Sequence, residues 1–228
     1  MDVVGVPYNS AGRVDGVARA PQALRRAGLV EAVAAAGHAV ADRGDLELPR
    51  PTPERDAESH VVAIGVLAAM VERVRGAVAG SLQTRAFPLI LGGDCPVLLG
   101  CLSAARGSNG NRLLFVDGHE DAWPAERSTT GEAADMELGW LLGRSAELPA
   151  SLRMEIPTLE AADVIVFGPR DDHELADAAI ASIGNIVQIV RPDALAAEPS
   201  AVTDSAVSTS TVPISRRPRS VEVSRRSG

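Results

Sequence analysis

Short apolar runs alternate with helical patterns along most of this chain, and this alternation constrains the fold more than any other feature. The runs that have the character of buried strands are residues 3–6, 39–40, 87–91, 113–116, 164–167 and 186–190. The helical patterns between them cover residues 20–36, 53–78, 96–105, 132–142 and 172–183. Such alternation is typical of a parallel sheet with helices on both faces. We therefore predict an α/β fold with a mainly parallel sheet.

The end of the chain has a different character. The strand and helix patterns lie within residues 1–195, which is enough chain for one sizeable core. Residues 196–228 are rich in Ser, Thr and Arg and poor in apolar side chains. Such a segment buries too little apolar surface to offset its ordering entropy. We predict one α/β domain over residues 1–195 and a low-complexity, disordered tail over residues 196–228.

Charge and cysteine content limit the classes of partner. The net charge of −8 argues against binding to nucleic acid or to an anionic membrane surface. No run approaches the roughly 18 apolar residues of a membrane span, and the first residues lack the features of a signal peptide. Two cysteines in a chain of this size do not suggest a secreted disulfide scaffold. We predict a cytoplasmic protein whose partner is a small molecule.

Three potential metal ligands follow the fourth predicted strand. The chain leaves that strand through Asp117-Gly118-His119-Glu120-Asp121. Ligands of open α/β sheets bind beyond the carboxyl ends of strands, and on an extended chain Asp117, His119 and Asp121 point to one side. Carboxylates with one imidazole suit Mn²⁺, Fe²⁺ or Zn²⁺. We predict a divalent metal site here; capping of a helix in a solvated loop is the alternative for any single residue of the three.

A second polar turn follows the preceding strand. It reads Gly92-Gly93-Asp94-Cys95-Pro96 and leads directly into a helical pattern. The glycines permit a tight turn, and Asp94 is placed to cap the helix. Because neighbouring parallel strands end at the same edge of a sheet, we expect the two turns to lie together.

Taken together, the two turns resemble motifs of the ureohydrolase family, which comprises arginases, agmatinases and formiminoglutamases. That family carries Gly-Gly-Asp-His-Ser after one strand and Asp-Ala-His-x-Asp after the next. The run Gly5-Val6-Pro7 is similar to the opening of the family, and Phe167-Gly168-Pro169-Arg170 is similar to its Ile-Gly-x-Arg segment. The resemblance covers roughly residues 3–190.

This resemblance implies a three-layer αβα fold and a pair of Mn²⁺ ions bridged by a hydroxide that attacks a guanidino or formimino carbon. By position, Asp117 would bridge the ions, His119 would bind one, and Asp121 would bind the other and hold the hydroxide. Asp117 and Asp121 are thus the implied catalytic residues. Asp94 would contact the metal ligands without binding an ion itself. A small guanidino or amidino substrate and a homo-oligomer are implied as well.

Two departures from the family pattern concern the ligands and the substrate. Cys95 stands where the family has histidine, and its softer sulfur favours Zn²⁺ or Fe²⁺ over Mn²⁺; a small buried core residue is the alternative reading of Cys95. The segment 128–136 is similar to the substrate loop of arginases, so Gly131 and Glu132 are implied to contact substrate. Glu132 and Ala134 replace the Asn and His of that loop, which implies a different substrate or none.

The third departure is the family's last motif, Ser-x-Asp-x-Asp-x-x-Asp-Pro, which supplies two further metal-bridging carboxylates. After Val190 the acidic residues are Asp193, Glu198, Asp204 and Glu222, and none of them has that spacing. We expect the gene to be truncated or frameshifted after about residue 191, leaving the C-terminal part of the fold incomplete and activity reduced or absent.

Three functions follow as hypotheses. The first is a metal-dependent hydrolase of C–N bonds in linear amidines. The second is a non-catalytic, degenerate homologue or oligomer subunit that keeps the fold for assembly. The third is a zinc-dependent deacylase of related αβα architecture, which also places Asp-x-His ligands after a strand.

Overall fold

The computed structural model describes residues 1–105 and 112–192, and its strands form two parallel sheets. The strands are β1 (Asp2–Val6), β2 (Ala41–Asp45), β3 (Pro88–Gly92), β4 (Leu113–Val116), β5 (Val164–Phe167) and β6 (Gln188–Val190). The first sheet has the order β2-β1-β3 and the second the order β4-β5-β6. The α/β class and the parallel strands are as predicted, but the hydrogen bonding divides the expected single sheet in two.

Seven α-helices lie between the described strands. They are α1 (Ala20–Arg26), α2 (Leu29–Ala35), α3 (Ile64–Gln83), α4 (Val97–Ala104), α5 (Glu137–Leu141), α6 (Ala150–Glu155) and α7 (Asp172–Asp177). None of the helices in this part of the chain combines the length and apolar character needed to cross a membrane. The sequence pattern did not predict α6. The predicted tail over residues 196–228 lies outside the described residues.

The predicted helix over residues 20–36 is broken into α1 and α2. The break is at Gly28, whose φ of 85° lies in the left-handed region that glycine adopts without steric cost. Gly37, also left-handed, follows the end of α2. The next strand begins after this turn, at Ala41, so the predicted strand at residues 39–40 was placed too early.

The predicted helix over residues 53–78 begins only at Ile64, because the chain before it forms a loop. Arg55 and Val62 pair across that loop as an isolated antiparallel bridge, and Ala63 has a left-handed φ of 51°. The Arg55 side chain donates hydrogen bonds to the carbonyls of Ala125 and Ser128, both at 3.0 Å. This loop therefore supports the segment that borders the predicted metal site.

The apolar face predicted for α3 is confirmed and packs into the core. Leu67, Met70, Val71 and Val74 are fully buried there. On β4, Leu113 and Phe115 are buried, whereas Leu114 and Val116 are 62% and 65% exposed. One face of β4 is therefore buried in the core, and the other face is exposed.

Candidate metal centre

Three of the predicted ligands converge beyond the carboxyl ends of β3 and β4. One ligand atom each from Cys95, Asp117 and Asp121 lies within 4.8 Å of the others. The closest recorded approach is 3.7 Å, from Cys95 Sγ to Asp117 Oδ2. The two turns therefore meet as predicted, although β3 pairs with β1 and β4 pairs with β5.

The chain after β4 is bent, and the predicted extended alternation of ligands is wrong in this detail. Asp117 Oδ1 accepts a hydrogen bond from the backbone N–H of His119 at 3.0 Å, which folds the chain into a tight turn. His119 lies at the rim, with its side chain 57% exposed and Nδ1 3.6 Å from Asp117 Oδ1. Its imidazole is not among the three atoms that converge.

Asp121 is held in the interior by its backbone. Its φ of 44° is left-handed, a conformation that Asp adopts more readily than most residues. Its carbonyl accepts hydrogen bonds from Leu138 N at 3.0 Å and Gly139 N at 3.2 Å, which ties the loop to the first turn of α5. The residue is 5% exposed. Burial first, and then the charge of Asp117, raise the pKa of Asp121 to about 8.

Cys95 is a free, half-buried thiol in an acidic environment. Burial, followed by the charges of Glu137, Asp121 and Asp117, raises the pKa of the Cys95 thiol far above its ordinary value. A thiol with so raised a pKa is a poor nucleophile, because the thiolate is the reactive form. A bound divalent cation would favour the thiolate, so the environment suits a metal ligand.

An acidic cavity of about 390 Å³ opens above these residues. Five of its eleven lining residues are acidic: Asp94, Asp117, Asp121, Asp135 and Glu174. Trp123, Thr129 and Thr130 form other parts of the wall. A cavity with this charge favours cations, either metal ions or a positively charged substrate group.

The implied substrate residues Gly131 and Glu132 lie beside this cavity and do not line it. Gly131 is buried against the loop before α3, where an added Cβ would lie 2.8 Å from Arg55 Nε. Its carbonyl accepts a hydrogen bond from Val62 N at 2.8 Å. Glu132 lines a neighbouring cavity together with Asp94. The part of their loop that faces the acidic cavity is Thr129, Thr130, Ala134 and Asp135.

Asp94 stabilises the turn after β3. The prediction that its side chain caps α4 is wrong. Its Oδ2 accepts hydrogen bonds from Ser10 Oγ and, at 3.0 Å, from Ser10 N. Its Oδ1 accepts a hydrogen bond from Cys95 N at 3.1 Å. The helix begins after Pro96 without a side-chain cap. Asp94 thus fixes the backbone of Cys95 against the chain that follows β1.

Glu120 is a structural residue of the site that the sequence did not reveal. Its side chain points inward and is 1% exposed. Its carboxylate accepts hydrogen bonds from Ser182 Oγ at 2.7 Å and Ile183 N at 2.8 Å. Its own N–H donates to Asp171 Oδ2 at 2.8 Å. The loop after β4, residues 117–121, is called the ligand loop below. Glu120 therefore anchors it to the segment before β6.

We expect Glu120→Gln to destabilise the protein by about 1–3 kcal/mol, because a neutral amide loses the charge that strengthens the hydrogen bonds from Ile183 N and Ser182 Oγ and that pairs with Arg191. Thermal unfolding followed by circular dichroism measures the change. Glu126→Gln, at an exposed position, is the matched control and should be neutral. Equal melting temperatures for the two variants would show that the Glu120 contacts do not stabilise the fold.

The donors fit one divalent ion of intermediate softness. A thiol and two carboxylates converge, and a thiolate ligand favours Zn²⁺ or Fe²⁺. Within residues 1–105 and 112–192 this is the one such group. The implied pair of Mn²⁺ ions stays a prediction.

The chain is similar to arginases in sequence. A model of the arginase family matches residues 1–206. The arginase of Brevibacillus brevis is 30% identical over 172 residues, which make up 75% of this chain and 57% of that protein. The arginase of Bacillus subtilis strain 168 is 28% identical over 171 residues, with the same shares. The chain thus matches little more than half the length of these relatives.

Solved structures show the same fold. The arginase of Bacillus cereus superposes with a TM-score of 0.73 at 23% identity, covering 91% of this chain and 69% of that one. The agmatine ureohydrolase of Thermoplasma volcanium superposes with a TM-score of 0.59 at 16% identity, covering 91% and 62%. These likenesses establish an arginase-like α/β fold.

Proposed function

Since this chain belongs to the arginase family, we propose that it is a metal-dependent hydrolase of C–N bonds in linear amidines. The observation that carries the proposal is the convergence of Cys95, Asp117 and Asp121 at the floor of the acidic cavity. An α/β fold binds its ligands beyond the carboxyl ends of its parallel strands, and these carboxylates lie there. The guanidino or amidino class of substrate fits the charge of the cavity.

The proposed ligands are Cys95, Asp117 and Asp121, with His119 joining from the rim. A bound divalent ion supplies Lewis acidity and lowers the pKa of water. Asp117, which contacts both Cys95 and His119, holds the ligand loop together. Asp121 accepts a hydrogen bond from the attacking water and orients it.

The substrate group is held by the cavity wall. A cationic guanidinium carries several N–H donors in one plane and pairs with carboxylates. Asp135 and Glu174 are the two lining carboxylates outside the ligand loop and the turn after β3. Asp135 Oδ2 already accepts hydrogen bonds from Ser128 Oγ at 2.7 Å and Thr130 Oγ1 at 2.6 Å, which fixes its position. We propose that these two residues, with Thr129 and Thr130, contact substrate in place of Gly131 and Glu132.

The test is release of urea. The purified chain is stripped with a chelator, reloaded separately with Mn²⁺, Zn²⁺ or Fe²⁺, and incubated with arginine, agmatine and other guanidino compounds. We expect metal-dependent urea production, highest with Zn²⁺ or Fe²⁺ because of the Cys95 sulfur. The stripped protein is the control, and no metal-dependent urea from any of these compounds would contradict the proposal.

Other outcomes favour the remaining hypotheses. Stoichiometric metal without turnover of any amidine favours the non-catalytic homologue, whose oligomeric state light scattering would measure. Zinc-dependent cleavage of an acyl-lysine or acetylpolyamine favours the deacylase. A cytoplasmic location and a homo-oligomer remain proposals.

A further inference from the structure

A second cavity, of about 470 Å³, lies between the segment that follows β1 and the segment that follows β2. Its walls include Pro7, Pro49 and Pro51, and it is called the proline-lined cavity below. Its volume is within the roughly 300–1,000 Å³ of small-molecule sites. It shares no lining residue with the acidic cavity of the metal centre. Because ligands of α/β folds bind beyond the carboxyl ends of strands, this cavity has the position of a ligand site.

Close backbone contact holds the two walls of the proline-lined cavity together. Gly12 has a left-handed φ of 70°, and an added Cβ there would lie 2.6 Å from the carbonyl oxygen of Thr52. The second wall, residues 48–51, contains two prolines that restrict its backbone. In the first wall, Asn9 Nδ2 donates a hydrogen bond to the carbonyl of Asp15 at 2.9 Å. The cavity is therefore formed before a ligand binds, which lowers the entropic cost of binding.

Much of the wall is apolar. Leu48 and Val66 line the cavity and pack against the core with their other surfaces. Val14 also lines the cavity, yet its side chain is 66% exposed. A ligand lying on Val14 would remove apolar surface from water, which is favourable. The cavity thus suits a molecule with an apolar body.

The formal charges on the wall are positive. Arg13 and Arg50 line the cavity, and no acidic side chain is among its described lining residues. Two hydrogen bonds, at 2.8 and 2.9 Å, pair the Arg13 guanidinium with Asp15. Arg50, in contrast, makes no ion pair or hydrogen bond with another described residue. In a chain of net charge −8, this cavity favours an anionic group.

We propose that the proline-lined cavity binds a small organic carboxylate, whose apolar body lies on Val14 and Val66 and whose anionic group pairs with Arg50. A guanidinium matches the planar geometry of a carboxylate and donates two parallel hydrogen bonds to it. The cationic compounds proposed for the acidic cavity would be repelled here. The proline-lined cavity is therefore a second site, separate from the metal ion and from hydrolysis of C–N bonds.

The experiment compares phenylacetate with phenylacetamide, which share an apolar body and differ in charge. NMR saturation-transfer titrations of the full chain give both dissociation constants. We expect saturable binding of phenylacetate and roughly tenfold weaker binding of the amide, which cannot form charge-assisted hydrogen bonds with Arg50. Arg50→Gln should weaken phenylacetate binding by about the same factor. Arg26→Gln, at an exposed position in the last turn of α1, is the control and should leave that binding unchanged.

A second pair of variants tests the location. Val14→Glu places a negative charge on the wall and should abolish phenylacetate binding. Val17→Glu makes the same change at an exposed valine that does not line the cavity, and it should retain binding. No saturable binding of phenylacetate, equal affinities for the two probes, or unchanged binding in Arg50→Gln or Val14→Glu would overturn the proposal. The measurements require neither metal nor urea release, so their result is independent of the proposed activity.

Discussion

Asp117→Asn is expected to abolish stoichiometric metal binding. Asp117 contacts Cys95 Sγ through one oxygen and the His119 backbone through the other, so it is the common member of the ligand set. Asparagine keeps a carbonyl that can accept from His119 N–H, but it removes the negative charge that a divalent cation requires. Elemental analysis after loading with Zn²⁺ and removal of excess metal gives the stoichiometry directly.

The control for this change is Asp177→Asn, an identical substitution at an exposed position of α7. We expect that variant to retain the wild-type metal content. The metal-free Asp117→Asn protein should melt no lower than the metal-free wild type, because it lacks one charge of a repelling buried group. Bound metal in Asp117→Asn at the wild-type stoichiometry would remove the basis of the proposed site.

The sequence pointed to the three residues that converge, although not to the separation of His119 from them, because the signal of the three is local. An apolar run that ends abruptly in carboxylates and an imidazole marks a strand end at a binding edge. The position of Cys95 beside Asp117 followed from the same reasoning, although the two strands concerned belong to different sheets. Hydrogen bonding between strands depends on twist and packing, which a pattern of apolar residues does not encode.

The burial of Glu137 and Glu120 was missed because it depends on tertiary contacts. Glu137 interrupts the apolar segment Met136-Glu137-Leu138-Gly139-Trp140, and a charged residue inside such a segment was the available signal. Glu120 stands between two predicted ligands, where its inward direction follows only from the bend after β4. Its partners lie 62 and 63 residues further along the chain, and no local pattern predicts them.

The glycine pair before Asp94 shows the same distinction between local pattern and tertiary contact. Both glycines were predicted to permit a tight turn. Neither of them has a left-handed φ. Their surroundings differ instead. An added Cβ at Gly93 would lie 2.1 Å from the Tyr8 carbonyl oxygen, whereas at Gly92 the nearest atom, in Val97, is 3.7 Å away. Gly93 is therefore required by close approach of two backbones.

Gly93→Ala is accordingly expected to destabilise the fold by about 1–3 kcal/mol, the usual cost of overpacking. At roughly 2–4 °C per kcal/mol for a chain of this size, the melting temperature should fall by several degrees. The clash is with backbone, so the segments after β1 and β3 must separate. Because Ser10 holds Asp94 across this junction, Zn²⁺ affinity should fall as well.

Gly92→Ala provides a matched comparison one residue away. Its Cβ would make ordinary contact with Val97, and the substitution reduces the entropy of the unfolded chain, so the melting temperature should be unchanged or slightly raised. Zn²⁺ affinity should also be retained. If Gly93→Ala matched Gly92→Ala in both measurements, the junction between β1 and β3 would not position the ligands. A loss confined to Gly93→Ala would instead show that a backbone contact outside the ligand set sets the geometry of Cys95 and thereby the affinity for metal.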